Sequence, residues 1–237
     1  MSHRRRPTPT PTPPPTPIGF TDTFNTGALS SNWIVSTWAA PFGGKFSSAN
    51  ISLSQGMLGI RLTQSKNPDG TWGNSVGGEL QCKQLFGYGT YEWECRASST
   101  SQTPYGVGAP VSGSITGCFN YINDSQTEID FEVEGLAARS NLIQFTNWST
   151  QAAQQSSVMP LTPTPEAGFR VYKFVWAPGQ INFYVDGVLL KTHTKNVPTT
   201  PAYAMINHWG TNNQDWGGAA TQGDRWMWVK RFSFVNR

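Results

Sequence analysis

The sequence has little charge and no long apolar run, and each shortage excludes a class of protein. Lys, Arg, Asp and Glu make up 13% of the 237 residues, and the net charge of +3 equals the contribution of three arginines at positions 4–6. The rest of the chain is therefore nearly neutral, which argues against a nucleic-acid partner. No apolar run approaches the roughly 18 residues that a transmembrane helix needs, so we expect no membrane partner either.

Cysteine is scarce as well. The chain contains three, Cys82, Cys95 and Cys118, and an odd number leaves at least one thiol unpaired. Their spacing matches no zinc-binding pattern. Each lies in a strand-like run, which favours buried thiols, while a bridge between Cys82 and Cys95 on neighbouring strands stays open.

A third absence is the 3.6-residue apolar period of an amphipathic helix, which no stretch of the sequence sustains. Short strand-like runs recur instead, about every 8–12 residues. Turn signals such as Asn-Pro-Asp-Gly at 67–70 and Asp186-Gly187 separate them, and the Asp-Gly pair predicts a type I′ hairpin. Many short strands predict an all-β sandwich or barrel, and a chain of this length fits one such domain.

Proline is plentiful, but much of it lies near the N-terminus. Residues 1–17 consist of Met-Ser-His-Arg-Arg-Arg followed by Pro-Thr repeats, and Pro-rich segments of this kind form extended linkers rather than a core. We predict that residues 1–17 are a disordered linker or processing remnant, and that residues 18–237 form the domain. Such linkers are common between modules of secreted polysaccharide-degrading enzymes, which predicts an extracellular location.

Acidic residues are few, 14 in all, yet four of them fall within seven positions in the run 127–134, Thr-Glu-Ile-Asp-Phe-Glu-Val-Glu. Strict alternation of acidic and apolar residues is the period of a β-strand. Ile129, Phe131 and Val133 would face a core, and all four acidic residues would share the other face. Like charges on one strand face repel one another, so the pattern favours a functional site over an ordinary solvated face.

The spacing of these carboxylates points to a reaction type. Alternate strand residues lie about 6.6 Å apart and i, i+4 residues about 13 Å apart. Two Glu side chains at i and i+4 can lean together until their carboxyls are roughly 5–6 Å apart, the separation of a retaining glycosidase. The carboxylate between them disfavours ionisation of its neighbours, so one Glu can stay protonated as an acid while the other is a nucleophile. Spacing alone does not choose between Glu128/Glu132 and Asp130/Glu134.

The run Glu-Ile-Asp-Phe-Glu at 128–132 resembles the E-x-D-x-E active strand of glycoside hydrolase family 16. It has the form without an inserted residue that is typical of bacterial lichenases (β-1,3-1,4-glucanases) and plant xyloglucan transglycosylases. The resemblance implies that Glu128 is the nucleophile, Glu132 the general acid/base and Asp130 the residue that tunes the pair. With Glu128 and Asp130 both anionic, the pKa of Glu132 should lie above that of an ordinary Glu. No family role transfers to Glu134.

Flanking segments resemble lichenases too, from about Phe20 to Phe234. Three positions depart from the lichenase pattern: Gln81 replaces an Arg, Gln126 a Trp and Thr146 an Asn, unless the register slips by one residue to Asn147. The loop at 215–218 could rim the cleft, and strand alternation turns His208 away from it. The resemblance implies the following substrate-binding residues: Glu79, Gln81, Phe119, Tyr121, Gln144, Thr146, Asn207 and Trp209.

The resemblance implies a jelly-roll β-sandwich of two curved antiparallel sheets with a concave substrate cleft. The implied activity is retaining endo-hydrolysis of β-1,3-1,4-mixed-linkage glucan, with an endo-β-1,3-glucanase or a xyloglucan-type transglycosylase as alternatives. An alternative of another class is a non-catalytic glycan-binding module. The double displacement needs no cofactor or catalytic metal, although family members often hold a structural calcium ion. We expect a monomer that binds β-glucan, alone or as one module of a larger secreted enzyme.

Overall fold

Strands make up nearly all of the regular structure. The computed structural model describes residues 19–123 and 125–236, apart from the side chains of residues 73 and 74, and the predicted linker at 1–17 lies outside these residues. The strands are β1 (Gly19–Asp22), β2 (Trp33–Val35), β3 (Lys45–Phe46), β4 (Ile51–Ser54), β5 (Met57–Lys66), β6 (Trp72–Phe86), β7 (Gly89–Ser99), β8 (Ser114–Ile122), β9 (Thr127–Glu134), β10 (Leu142–Thr150), β11 (Ala153–Pro160), β12 (Arg170–Ala177), β13 (Gln180–Val185), β14 (Val188–His193), β15 (Ala202–Gly210) and β16 (Gly223–Asn236).

Two short 3₁₀ turns, Pro41–Gly43 and Ser48–Asn50, are the helical elements of the described ranges. None of the helices described is long and apolar enough to cross a membrane. The predicted hairpin at Asp186-Gly187 is confirmed, since both residues have positive φ, +50° and +82°, as a type I′ turn requires.

The strands form two curved layers, as the predicted all-β sandwich requires. The first layer has the order β11-β10-β9-β8-β15-β6, with β2 on the far edge of β6, and the second has the order β5-β16-β7-β12-β13-β14. Strand pairing is antiparallel throughout except between β3 and β6. The fold class is therefore all-β, with the catalytic-strand candidate β9 inside the first layer.

Strand β6 joins the two layers by bending between them. Its first part pairs with β5 in the second layer, and its second part, from Gly78 onward, pairs with β15 in the first layer. Gly77 lies at the bend, where an added Cβ would come within 2.1 Å of the carbonyl oxygen of His208. Only glycine permits this close approach of two backbones, so the bend depends on the Gly77-Gly78 pair.

The core lies between the two layers and confirms the predicted faces of β6 and β9. Ile129, Phe131 and Val133 are buried, and so are Leu80 and Cys82. Aromatic rings of the second layer close over them; for example, the ring centroids of Phe131 and Phe174 lie 6.0 Å apart. Burial of these apolar side chains leaves the alternate, polar side chains of β6 and β9 on the face opposite the core.

All three cysteines are buried and free, which confirms the prediction of buried thiols. The bridge between Cys82 and Cys95 does not form. The Sγ atom of Cys95 in β7 lies instead 3.4 Å from that of Cys118 in β8, so the contact spans the two layers. Sequence could not show this neighbour, because it arises from the packing of one layer against the other.

Candidate active site

The acidic side chains of β9 lie in a cleft on the outer face of the first layer. The cleft has a volume of about 570 Å³, and Glu128, Asp130 and Glu132 contribute to its lining. The structure brings six of the eight predicted substrate-binding residues into the same lining: Glu79, Gln81, Phe119, Tyr121, Asn207 and Trp209. Antiparallel pairing arranges these side chains, apart from Trp209, in three rows across the strands, because residues directly opposite one another share a face. Trp209 lies opposite Ile115, which lies opposite Glu134.

The first row contains Glu132, and we call it the Glu132 row. Glu132 lies opposite Gly117 in β8, Gly117 opposite Asn207 in β15, and Asn207 opposite Glu79 in β6. Glu79 accepts hydrogen bonds from Ser36 Oγ at 2.7 Å and from Asn207 Nδ2 at 3.1 Å. Burial raises the pKa of Glu79, and hydrogen bonds from Ser36, Asn207 and Trp38 partly oppose the rise.

Gly117 leaves open space in the middle of the Glu132 row. A Cβ atom there would lie 2.5 Å from Asn207 Oδ1. That amide oxygen is buried and has no hydrogen-bond partner among the residues that the structure describes. A buried acceptor of this kind at a cleft wall suits a hydroxyl donor from a ligand.

The second row contains Asp130 and continues through Phe119 and Met205 to Gln81. The third row contains Glu128, followed by Tyr121 and Tyr203. Glu128 and Glu132 therefore lie on the same strand face with Asp130 between them, as the sequence predicts.

Gln144 and Thr146 lie beyond the cleft lining, although they occupy the same sheet face. They pair with Glu132 and Asp130 across β9 and β10, and Gln144 Nε2 donates to Thr146 Oγ1 at 3.2 Å. The register does not slip to Asn147, since Asn147 Nδ2 donates to the carbonyl of Lys195 at 3.0 Å on the buried side. The structure thus separates these two predicted residues from the other six, and their substrate contacts stay predictions.

Burial and mutual repulsion raise the pKa values of the three carboxyls. Burial raises the pKa of Glu132 to about 8, with further contributions from the charges of Glu128 and Glu134. The pKa of Asp130 lies well above its usual range because of burial and the charges of Glu128 and Glu132. Burial also raises the pKa of Glu128, but a hydrogen bond from Ser125 opposes it. With a pKa of about 8, Glu132 holds its proton at neutral pH, and Glu128 is the carboxyl with a donor that favours its anion.

The structure corrects the expected source of the Glu132 shift. Sequence reasoning assigned it to the anions of Glu128 and Asp130. Burial is the largest cause, and the charge that acts together with Glu128 is that of Glu134. The pKa of Asp130 is itself raised, by burial first and then by the charges of Glu128 and Glu132.

Glu134 is held by a salt bridge, which distinguishes it from the other three acidic residues of β9. Its Oε1 lies 2.8 Å from Arg139 Nη2, and its Oε2 accepts a hydrogen bond from the Gly217 amide at 2.7 Å. Glu134 is buried and is absent from the cleft lining. Of the two pairs that spacing left open, the structure therefore favours Glu128/Glu132 over Asp130/Glu134.

His208 points away from the cleft, as predicted. Its ring is buried, with Nδ1 2.9 Å from the Ile60 carbonyl oxygen and Nε2 2.9 Å from Ser98 Oγ. Burial lowers the pKa of His208 to about 3, so the imidazole is neutral and structural.

Sequence reasoning missed residues 38–41, which form one wall of the cleft. Trp38 lines the cleft with 46% of its surface exposed. Phe42 stacks on Trp209, with ring centroids 5.8 Å apart and planes 11° from parallel, so Trp209 is 5% exposed. The loop at 215–218 lies near this wall, where Trp216 packs against the cluster of Trp209 and Phe46. No local pattern in a loop signals such contacts, because the partners are distant in sequence.

Comparison with known proteins agrees with this geometry. The family described as glycosyl hydrolases family 16 matches residues 38–230. The chain belongs to glycosyl hydrolases family 16. A β-glucanase of Paenibacillus macerans is 33% identical over 144 residues, which are 60% of this chain and 56% of that protein. A β-glucanase of Acetivibrio thermocellus is 27% identical over 197 residues, 80% of this chain and 54% of that protein. The chain spans about half the length of these curated relatives.

Solved structures show the same fold as this family 16 domain. The Bacillus licheniformis β-glucanase has a TM-score of 0.77 at 23% identity, covering 92% of this chain and 98% of that one. The catalytic domain of an endo-1,3-β-glucanase (laminarinase) from Thermotoga petrophila has a TM-score of 0.73 at 17% identity, covering 92% and 96%. These likenesses confirm the predicted jelly-roll sandwich.

Proposed function

We propose that this family 16 domain is a retaining endo-β-glucanase that hydrolyses β-1,3-1,4-mixed-linkage glucan. The carrying observation is the pair Glu128 and Glu132 on one strand face of the cleft, with the pKa of Glu132 raised to about 8. A retaining mechanism requires a protonated acid, here Glu132, and an anionic nucleophile, here Glu128, on the same strand face. The relatives named β-glucanase support the substrate class.

In the first step, Glu128 attacks the anomeric carbon while Glu132 donates its proton to the leaving glycosidic oxygen. Glu132 is protonated at neutral pH because burial and the Glu128 and Glu134 charges raise its pKa. As Glu128 becomes an ester its charge disappears, so the pKa of Glu132 falls and Glu132 becomes a base. Glu132 then takes a proton from water, and the water displaces Glu128 from the anomeric carbon. Each of the two displacements inverts the anomeric carbon, so the net configuration is retained.

The cleft wall fits a neutral sugar chain. Aromatic rings of Trp38, Phe119 and Tyr121 line it, and rings of this kind stack on the apolar faces of glucose units. Asn207 Oδ1 and the Glu79 carboxyl provide acceptors for sugar hydroxyls on the Glu132 row.

The first test compares Glu128→Gln and Glu132→Gln with wild type on barley glucan, using release of reducing ends. Each variant should lose activity by at least about 1,000-fold, since each removes a group that forms or breaks a bond. Glu94→Gln is the matched control, because Glu94 pairs with Lys230 at 2.9 Å in the second layer. Near-normal turnover of either cleft variant with a folded protein would contradict the assignment.

A second test separates the nucleophile from the acid. Azide should restore turnover of Glu128→Ala and give an α-glycosyl azide from a β-glucan, because a small anion can occupy the space of the missing carboxylate. The product's configuration is read by NMR. A β-azide would indicate that the vacated group was the acid/base.

β-1,3-Glucan is the second candidate substrate, because the laminarinase of Thermotoga petrophila has the same fold. Initial rates on barley glucan, laminarin and xyloglucan rank the candidates, and product sizing with added oligosaccharide acceptor identifies transglycosylation. No release from any β-glucan would support the glycan-binding module.

We also propose that the domain acts outside the cell, as a monomer or as one module of a larger secreted enzyme, because the Pro/Thr-rich segment 1–17 is typical of linkers in such enzymes. Light scattering tests the oligomeric state, and culture fractionation tests the location.

Both chemical steps use carboxyl groups alone, so we propose no cofactor. In the ranges 19–123 and 125–236 no group of three or more His, Cys, Asp or Glu is placed to hold a metal ion. The structural calcium ion stays a prediction, tested by melting temperature with and without EDTA.

A further inference from the structure

Ser125 lies three residues before the catalytic strand's first carboxylate and touches it. Its Oγ donates a hydrogen bond to Glu128 Oε2, and Ser125 is part of the cleft lining. No part of the family resemblance assigns a role to this residue. The contact therefore joins a side chain without an assigned role to the proposed nucleophile.

The turn that carries Ser125 is strained. Ser125 has a φ of +63°, and Asn123 two positions earlier has +48°. The turn is closed by a hydrogen bond from the Gln126 amide to the Asn123 carbonyl, 3.1 Å long. This region of φ favours glycine and tolerates asparagine, whereas serine is uncommon there. Because glycine would be less strained at this φ, the presence of serine points to a use of the hydroxyl itself.

The Ser125 hydroxyl donates a hydrogen bond to the Glu128 carboxylate, the ionised form that burial disfavours. A donor to the ionised form favours that form, and the hydrogen bond from Ser125 opposes the effect of burial at Glu128. An O–H donor also restricts rotation of the carboxyl about its last torsion, which is otherwise broad. Both effects prepare Glu128 for attack.

We propose that Ser125 is a positioning residue that holds Glu128 Oε2, so that Oε1 is the oxygen that attacks the anomeric carbon. This inference rests on the proposed function of Glu128. In the first step the bond between Oε1 and the anomeric carbon forms, the glycosidic bond breaks, and Glu132 supplies the proton to the leaving oxygen. Oε2 becomes the ester carbonyl oxygen and keeps the Ser125 hydrogen bond.

The same hydrogen bond assists the second step. Water attacks the anomeric carbon, its proton passes to Glu132, and the electron pair of the breaking bond returns to the Glu128 carboxylate. Negative charge grows on Oε2 as this bond breaks, and a hydrogen bond to a charged acceptor is stronger than one to a neutral ester. Ser125 therefore stabilises Glu128 as a leaving group.

The test uses Ser125→Ala and Ser125→Gly together. Alanine removes the hydroxyl and keeps the strain of positive φ, whereas glycine removes both, so the two variants share only the loss of the donor. We expect the acid limb of kcat/KM on barley glucan to move to higher pH in both variants, with about a tenfold larger loss at pH 5 than at pH 7. Ser54→Ala, at the exposed end of β4, is the matched control. The melting temperature of Ser125→Gly should equal or exceed that of wild type.

An unmoved acid limb in both variants, or normal activity of Ser125→Gly, would overturn the inference. Titration of ¹³C-labelled Glu carboxyls by NMR, with the Glu128 signal assigned through Glu128→Gln, gives a readout independent of turnover. If Glu128→Gln is inactive and the Glu128 titration does not move in Ser125→Gly, the Ser125 inference fails while the proposed function stands. If Glu128→Gln stays active, the proposed function itself fails.

Discussion

The proton on Glu132 is the residue-scale feature on which the proposed catalysis depends. The pKa of about 8 comes from burial first and from the charges of Glu128 and Glu134 next. Arg139 and the Gly217 amide hold the two carboxyl oxygens of Glu134. A residue outside the cleft therefore helps to set the protonation of the acid inside it.

This arrangement predicts opposite effects of two substitutions on the alkaline limb of kcat/KM. In the proposed mechanism, activity requires protonated Glu132 and is lost as pH rises through the pKa of Glu132. Glu134→Gln removes a nearby negative charge, so the alkaline limb should move to lower pH. Arg139→Gln leaves the Glu134 charge unneutralised, so the limb should move to higher pH. The measurement is the pH dependence of kcat/KM on barley glucan, and shifts in the same direction would contradict a charge effect.

Asp130→Asn is a third variant whose pH dependence of kcat/KM tests this arrangement. Burial and then the charges of the two glutamates raise the pKa of Asp130 well above its usual range, which favours its neutral form, and a neutral side chain adds no charge beside Glu132. The amide should therefore leave the alkaline limb close to that of wild type. A limb moved to lower pH would show instead that Asp130 is anionic during turnover, which is the expectation from sequence alone.

At the scale of the element, β9 combines a core face and a repulsive acidic face. Three buried apolar residues, Ile129, Phe131 and Val133, hold the strand in place while three cleft carboxyls share its other face. Carboxyls with raised pKa bind protons more tightly when folded than when unfolded. Their contribution to stability is therefore fully present below the ordinary Glu pKa and is lost as pH rises through the folded-state pKa.

We accordingly predict that Glu132→Gln stabilises the fold at high pH and not at low pH. From the ordinary value of 4.5 to about 8, the wild type loses stability progressively with rising pH, and the amide does not. The gain at pH 9 relative to pH 4 should be on the order of 5 kcal/mol, at about 1.4 kcal/mol per pKa unit. Urea unfolding at pH 4 and pH 9 measures it, with Glu94→Gln as control. An equal effect at both pH values would exclude the linkage explanation.

The contact between β7 and β8 carries a prediction about thiols. Burial raises the pKa of Cys118 and of Cys82, and all three cysteines are buried, so none should react with Ellman's reagent in the native protein at pH 8. Three thiols should react after unfolding in guanidinium. A count of one would reveal an oxidised bridge across the 3.4 Å contact of Cys95 and Cys118.

At the scale of the whole molecule, two layers place residues from distant strands in one cleft. Gln81 of β6 lines this cleft at the position where the lichenase pattern has Arg, whereas Gln126 is exposed and absent from the lining. Gln81→Arg should therefore raise kcat/KM on barley glucan by about 5- to 10-fold, mainly through KM, because a charged donor binds sugar hydroxyls more strongly than an amide.

Gln126→Trp tests the other departure from the pattern. Because Gln126 lies outside the lining, its replacement should change kcat/KM on barley glucan by less than about twofold, and the double variant should behave like Gln81→Arg alone. A gain from Gln126→Trp would show that the substrate extends past the cleft edge toward the β8–β9 turn.

Much of the fold could be predicted because strand faces are a local property. The alternation in 127–134 places apolar and acidic side chains on opposite faces whatever the strand's neighbours are. Strand β11, Ala153–Pro160, was not predicted, because its Gln- and Ser-rich sequence has few apolar residues and is ordered by pairing with β10.

The sequence by itself determined the fold class, the acidic strand and the chemistry that two glutamates at i, i+4 can perform. Only the tertiary structure decided which glutamates share the cleft. Glu134 lies outside it because its carboxyl binds Arg139, 5 positions further on, and the backbone amide of Gly217 in a distant loop. The tertiary structure also decided that Trp38 forms a cleft wall and that Ser125 bonds the Glu128 carboxylate. These outcomes depend on contacts between segments that are distant in sequence and share no periodic pattern. Burial is the largest cause of the raised carboxyl pKa values in the site, and these side chains become buried only when the two layers pack together.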